Sequence, residues 1–124
     1  MLDKAVAQAA VDTYLSALVA GDIDAIVALY DAEATVEDPV GSEALQGSDA
    51  IRAFYAKAAG AIAEAAPAGA IRCAGMEVAF PFRLVLDLGE KKMAMEIIDV
   101  FRFNEAGKVA SMRAFWGKEN MMPA

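Results

Sequence analysis

The sequence predicts an α+β domain in which N-terminal helices pack on a curved antiparallel sheet, and three observations predict it. Apolar residues recur at helical spacing through about Ala59, the spacing changes to two from Ile71 onward, and short turn segments punctuate the second half. In the first helix, over residues 3–20, Val6, Ala10, Val11, Tyr14, Leu15 and Leu18 fall on one stripe, and Gly21 suits the stop. Asp22 can cap a second helix through about Tyr30, with Ile26, Leu29 and Tyr30 on its buried side. A short strand, Ala34 to Asp38, ends at Pro39. Ser48 or Asp49 caps a third helix through about Ala59, where Ile51, Phe54, Tyr55 and Ala58 share a face.

The segment "GAIAEAAPAGA" is ambiguous, because its alanines favour helix while Gly60, Pro67 and Gly69 interrupt it. Beyond it, "MEVAFPFRLVLDL" places Met76, Val78, Phe80, Phe82, Leu84, Leu86 and Leu88 on one face of a strand, with Pro81 marking an edge or bulge. "GEKK" turns into a strand from about Lys92 to Phe103, and "NEAGK" into a last one from Val109 to Trp116. No repeat, linker or low-complexity tract divides the 124 residues, so a single domain spanning 1–124 is expected.

Composition narrows the chemistry. A net charge of −7 lacks the basic footprint that nucleic acid or an anionic membrane requires. No apolar run approaches the roughly 18 residues of a membrane span, and no signal peptide is evident, so a cytoplasmic location is expected. The single Cys73 excludes an internal disulfide, and the absence of histidine removes the usual zinc sets and every histidine-dependent nucleophile triad. Acid–base work must then fall to carboxylates, tyrosines or lysines.

Two aspartates stand out against the alternation. In "ATVEDPVGSE" a period of two puts Ala34, Val36 and Asp38 on one face and Thr35 and Glu37 on the other, so Asp38 turns inward. The plainer reading is that Asp-Pro opens a turn. In "MAMEIIDVFRF", Asp99 is the lone polar member of the row Met93, Met95, Ile97, Asp99, Phe101 and Phe103. Burial there disfavours the ionised carboxyl and raises its pKa. The alternative for Asp99 is an ion pair, for which Arg102 lies on the opposite face and Arg113 on another strand. Tyr14, Tyr30 and Tyr55 occupy inward helical positions where a buried hydroxyl needs a partner, as core filling or as something more. Met112, Ala114 and Trp116 read as core or cavity wall, and Glu37, Glu43, Asp49 and Glu64 as solvated surface.

The stretches "AGDIDAIVALYDAEATVEDPVGSE", "AIRAFYA" and "IDVFRFNEAGKVASMRAFWG", with "YL" at Tyr14 and "FPFR" at Phe80 to Arg83, closely resemble the bacterial ketosteroid isomerases over nearly the full length. That resemblance implies a conical, nuclear transport factor 2-like fold, a homodimer with a deep apolar pocket in each subunit, and cofactor-free conversion of 3-oxo-Δ5-steroids to 3-oxo-Δ4-steroids. It implies Asp38 as general base, with Tyr14 and a protonated Asp99 as the oxyanion hole. A neutral aspartate beside a tyrosine is a known property of that family. Tyr55 and Tyr30 would support Tyr14 through their hydroxyls, and Phe54, Phe82, Phe101, Met112 and Trp116 would line the steroid pocket. The alanine-rich "GAIAEAAPAGAIRCAG" departs from the family pattern.

The same fold hosts other activities. Two alternatives accompany the isomerase: a polyketide-cyclase-like enzyme, against which the missing histidine weighs, and a non-catalytic dimer that binds an apolar ligand, for which two inward aspartates are a needless cost.

Overall fold

A computed structural model of the chain describes residues 2–124. Helix α1, Lys4–Ala20, starts where the Asp3 carboxylate accepts the Ala5 N–H and stops at Gly21, whose φ of 67° lets its N–H reach the Ala17 and Leu18 carbonyls. Its buried stripe is Ala7, Val11, Tyr14, Leu15, Ala17 and Leu18. Val6, expected on that stripe, lies on its flank and is 45% exposed. Asp22 caps α2, Ile23–Leu29, through the Ala25 N–H. Tyr30, expected to close this helix, instead opens strand β1, Tyr30–Glu37, which therefore begins four residues earlier than the alternation indicated.

After the two-residue strand β2, Leu45–Gln46, comes α3, Ser48–Ala58. Neither Ser48 nor Asp49 caps it: the cap position belongs to Gly47, at φ 90°, whose N–H donates to the Ala34 carbonyl of β1. That bond ties the start of α3 to the sheet, and the positive φ is one that glycine adopts without a Cβ penalty.

The ambiguous alanine-rich segment forms strand β3, Ile62–Pro67, followed by β4, Arg72–Ala74. Both lie along one edge of β5, Glu77–Asp87. Pairing to a long strand overrides the helical preference of alanine. Pro81 falls between the β4-paired and β3-paired stretches, with its carbonyl accepting Ala68 N–H, so its missing donor faces the gap between those strands. The other edge of β5 pairs antiparallel along β6, Lys92–Phe103, which in turn pairs with β7, Val109–Phe115. A 3₁₀ turn at Lys118–Asn120 leads to β8, Met121–Pro123, on β6.

Three helices therefore cover a strongly paired sheet of order β2-β1-β7-β6-β5-β3, the α+β arrangement expected. The sheet is mixed, since β1 meets β7 in parallel while the remaining neighbours are antiparallel, and it stays open rather than closing into a cone, since its terminal strands β2 and β3 do not pair. A parallel neighbour cannot be joined by a tight hairpin, and here the rest of the chain is the crossover. The core lies between the helices and the inner sheet face, with Phe80, Phe101, Ile26, Ile51 and Met112 fully buried. Side chains of this size contribute about 1.5–3 kcal/mol each on full burial. Among the described residues, no helix is long and apolar enough to cross a membrane.

Candidate active site

The site begins with strand register. Asp99 on β6 stands opposite Phe80 on β5 and Ala114 on β7, between Ile97 and Phe101 on its own face. It is 2% exposed and, among the described residues, the one ionisable acid or base of Asp, Glu, Lys or Arg type that is buried. No arginine reaches it: Arg113 pairs with Glu37 at 3.1 Å, and Arg102 is exposed. The ion-pair alternative is thereby removed. Burial pushes the Asp99 carboxyl well above the usual range, the charge of Asp38 acts in the same direction, and the Tyr14 hydroxyl acts weakly against both. Its Oδ1 is buried with no hydrogen-bond partner among the described residues.

Asp38 follows the last residue of β1. The pairing of Glu37 with Arg113, and the Val40 N–H donated to the Ala114 carbonyl at 2.8 Å, fix its backbone against β7. Ala114 consequently separates the two aspartates by a single strand. Asp38 is half-buried, and the Trp116 indole Nε1–H donates to its Oδ1 at 2.7 Å. Desolvation raises this carboxyl above its ordinary value, and the indole N–H, which stabilises the ionised form, opposes the rise. The two carboxyls thus sit in unequal settings. Asp38 has an indole donor and partial access to water, whereas Asp99 is sealed from water and its Oδ1 has no donor among the described residues.

Helices supply the hydroxyls. Tyr14 of α1, Tyr55 of α3 and Tyr30 at the start of β1 form a chain, with Tyr14···Tyr55 at 3.0 Å and Tyr30···Tyr55 at 2.6 Å between oxygens. All three are buried, and desolvation first of all holds their phenols protonated, well above the ordinary tyrosine range. Tyr14 packs edge-on against Phe80 and Phe101, which fixes its ring.

These groups open into one cavity of about 450 Å³ that contains Tyr14, Tyr55, Asp38, Asp99, Phe54, Phe82 and Trp116. Its size and largely apolar walls suit a compact hydrophobic ligand. Phe101 and Met112, expected as pocket residues, do not line it: both are fully buried beneath it as core. Tyr30 likewise stands behind Tyr55, reaching the cavity only through the hydroxyl chain. A neighbouring groove of about 600 Å³, over Ile98 and Phe115, shares Phe82, Ile97 and Trp116 with this cavity but contains neither aspartate nor any tyrosine. Among the described residues, no cluster of carboxylates and thiol is placed to hold a metal ion.

Sequence reasoning missed several walls. Leu84, Leu86 and Leu88 continue the row of Phe82, and Met95 and Ile97 face them from β6, so the period of two carried that signal. Lys57 and Ala58 follow Phe54 at i+3 and i+4. The Trp116 bond to Asp38 had no local signal, since the partners are 78 positions apart. Glu37, expected at the solvated surface, lies there and is also held by Gly41 N–H and Arg113, which lower its carboxyl pKa in that order of importance.

Helices over an open mixed sheet, with a polar cluster at one end of an apolar cavity, define the class. The SnoaL-like domain family matches residues 11–112, and the chain belongs to that family. The resemblance to ketosteroid isomerases has a counterpart in a steroid Δ-isomerase of Nocardioides simplex, 42% identical over 115 residues that span 93% of each chain. A solved structure of the epoxide hydrolase/cyclase-like enzyme SalBIII, described for pyran ring formation in the polyether salinomycin, shares the fold at a TM-score of 0.88. It is 28% identical and covers the whole of both chains.

Proposed function

We propose that the protein is a steroid Δ-isomerase that moves a 3-oxo-Δ5 double bond into conjugation without a cofactor. The observation that carries the reading is one apolar cavity holding two carboxyls in opposite settings, Asp38 bonded by an indole N–H and Asp99 buried without a cation. The 42% identity to a steroid Δ-isomerase supports the same chemistry.

In this mechanism, ionised Asp38 removes a proton from the carbon between the carbonyl and the double bond. The electron pair moves onto the carbonyl oxygen and gives a dienolate. The Tyr14 hydroxyl and the protonated Asp99 carboxyl donate to that oxygen, which gains charge as the proton leaves, and donors of this kind act most strongly where water is excluded. Protonated Asp38 then returns the proton to the far end of the dienolate, regenerating the base. For Tyr14 to offer its own proton, Tyr55 donates to Tyr14 and Tyr30 donates to Tyr55. Phe54, Phe82 and Trp116 hold the ring system by burial.

The test is to add 5-androstene-3,17-dione and follow the absorption of the conjugated enone. Conversion well above the buffer rate is expected. Steroid binding with no conversion would replace this reading with that of an apolar-ligand carrier.

The protein is also expected to act as a homodimer. Ile98 and Phe115 leave 46% and 41% of their surface open on the outer face of β6 and β7, beside the partly covered Val100 and Ala110. Sedimentation at micromolar concentration should give twice the chain mass; a monomer there counts against the dimer.

A further inference from the structure

The cavity's charged lining is polarised. Asp38 and Asp99 stand together at one end, Asp99 buried and Asp38 half-buried, and among its lining residues the one cation is Lys57. Strand register gives the separation. Asp99 is level with Phe80 on β5, whereas Leu86, level with Met93, lies six residues further along, roughly 20 Å at about 3.3 Å per residue. Ile62 pairs with Leu86, and the Asp87 N–H donates to the Ala61 carbonyl at 2.7 Å, so the connection leaving α3 meets β5 at this far end. Lys57 belongs to the last turn of α3, immediately before that connection, and Leu88 beside it is 51% exposed. This is the mouth.

Lys57 is exposed, and none of the three salt bridges among the described residues involves it. Its aliphatic stem can cover the apolar rim while the ammonium stays in water. A lysine in a last helical turn also complements the helix dipole, which would be a purely structural role. That role does not explain a cation on the cavity-facing stripe with Phe54 and Ala58. A chain of net charge −7 repels an anionic ligand over most of its surface, and Asp38 repels one at the end of the cavity where the carbonyl would bind.

We infer that Lys57 is a specificity-determining residue, selecting substrates that carry an anionic group, a carboxylate or a sulfate ester, at the end of the ring system remote from the reacting carbonyl. The inference rests on the isomerase reading for which end of the ligand enters first. The anion then meets the ammonium at the mouth while the carbonyl meets Tyr14 and Asp99 inside.

Binding separates this from turnover. Trp116, the sole tryptophan, lines the cavity, so its fluorescence reports ligand entry whether or not chemistry follows. The probes are a 3-oxo-Δ4-steroid ending in a carboxylate with its methyl ester, and a sulfate-ended one with its parent alcohol. The wild type is expected to bind the anionic member of one or both pairs about threefold to fivefold more tightly, the upper range for one exposed ion pair. Which pair shows it identifies the anion. Lys57→Ala should abolish the preference, Lys57→Glu should reverse it, and Lys57→Arg should keep it, each read as the anionic-to-neutral ratio, in which packing lost with the lysine stem weakens both members alike and cancels. High salt should erase it. Equal anionic-to-neutral ratios in wild type and Lys57→Ala overturn the inference even if the enzyme is active. A Lys57-dependent preference with no turnover of any Δ5 substrate upholds it and overturns the isomerase reading, and no fluorescence response to any probe overturns both.

Discussion

Asp38→Asn is expected to lower kcat by roughly 10²–10⁴, the usual cost of losing a general base, while steroid affinity stays near that of the wild type. The amide keeps the shape of the side chain and can still meet the Trp116 indole N–H through its oxygen. It cannot accept a proton from carbon. Because the change touches a half-buried residue at the cavity rather than the packed core, the fold is expected to survive it. Stopped or steady-state turnover beside a binding titration reads both quantities. Near-full kcat would put the base elsewhere, and lost affinity would make Asp38 a binding residue.

Asp99→Ala should slow turnover by roughly 10²–10³, the cost of one oxyanion donor, and Asp99→Asn should slow it less because an amide still donates. The same pair carries a stability signature with a definite sign. An aspartate in the unfolded chain titrates near about 3.9, whereas burial holds Asp99 well above its ordinary value in the native protein. Between those two values the unfolded chain has released a proton that the native protein retains. The contribution of Asp99 to stability is therefore complete below the unfolded value and declines as pH rises toward the native one. Asp99→Asn has no such slope. The Tm of the wild type relative to Asp99→Asn should fall steadily as pH is raised from about 4 toward neutrality. A relative Tm that rises with pH would mean that Asp99 is ionised and paired.

Asp99 was legible in the sequence because a strand's period of two isolates a single polar residue in an apolar row, and the structure adds only that no arginine approaches it. The helices were legible for a similar reason, with Gly21 and Asp22 marking a stop and a start that both hold. Other features depend on partners that no local pattern reveals. Strand β3 is alanine-rich and exists through its pairing with β5, and the Trp116 hydrogen bond to Asp38 crosses between chain segments brought together by the parallel β1–β7 pair. Phe101 and Met112 show a further limit. Alternation gives the face of the sheet on which a side chain lies but not its depth: Phe101 packs against the Tyr14 ring, Met112 is level with Phe101 on β7, and both are core rather than cavity wall.

The central claim is that two carboxyls in one cavity hold opposite protonation states at neutral pH. Carbon-13 labelling of the aspartate carboxyls, with Asp38→Asn and Asp99→Asn used to assign the two signals, reads those states directly. The account predicts that the Asp99 signal keeps its protonated chemical shift at pH 7 while the Asp38 signal has already moved to the ionised shift. An ionised Asp99 at that pH, or a protonated Asp38, would contradict it.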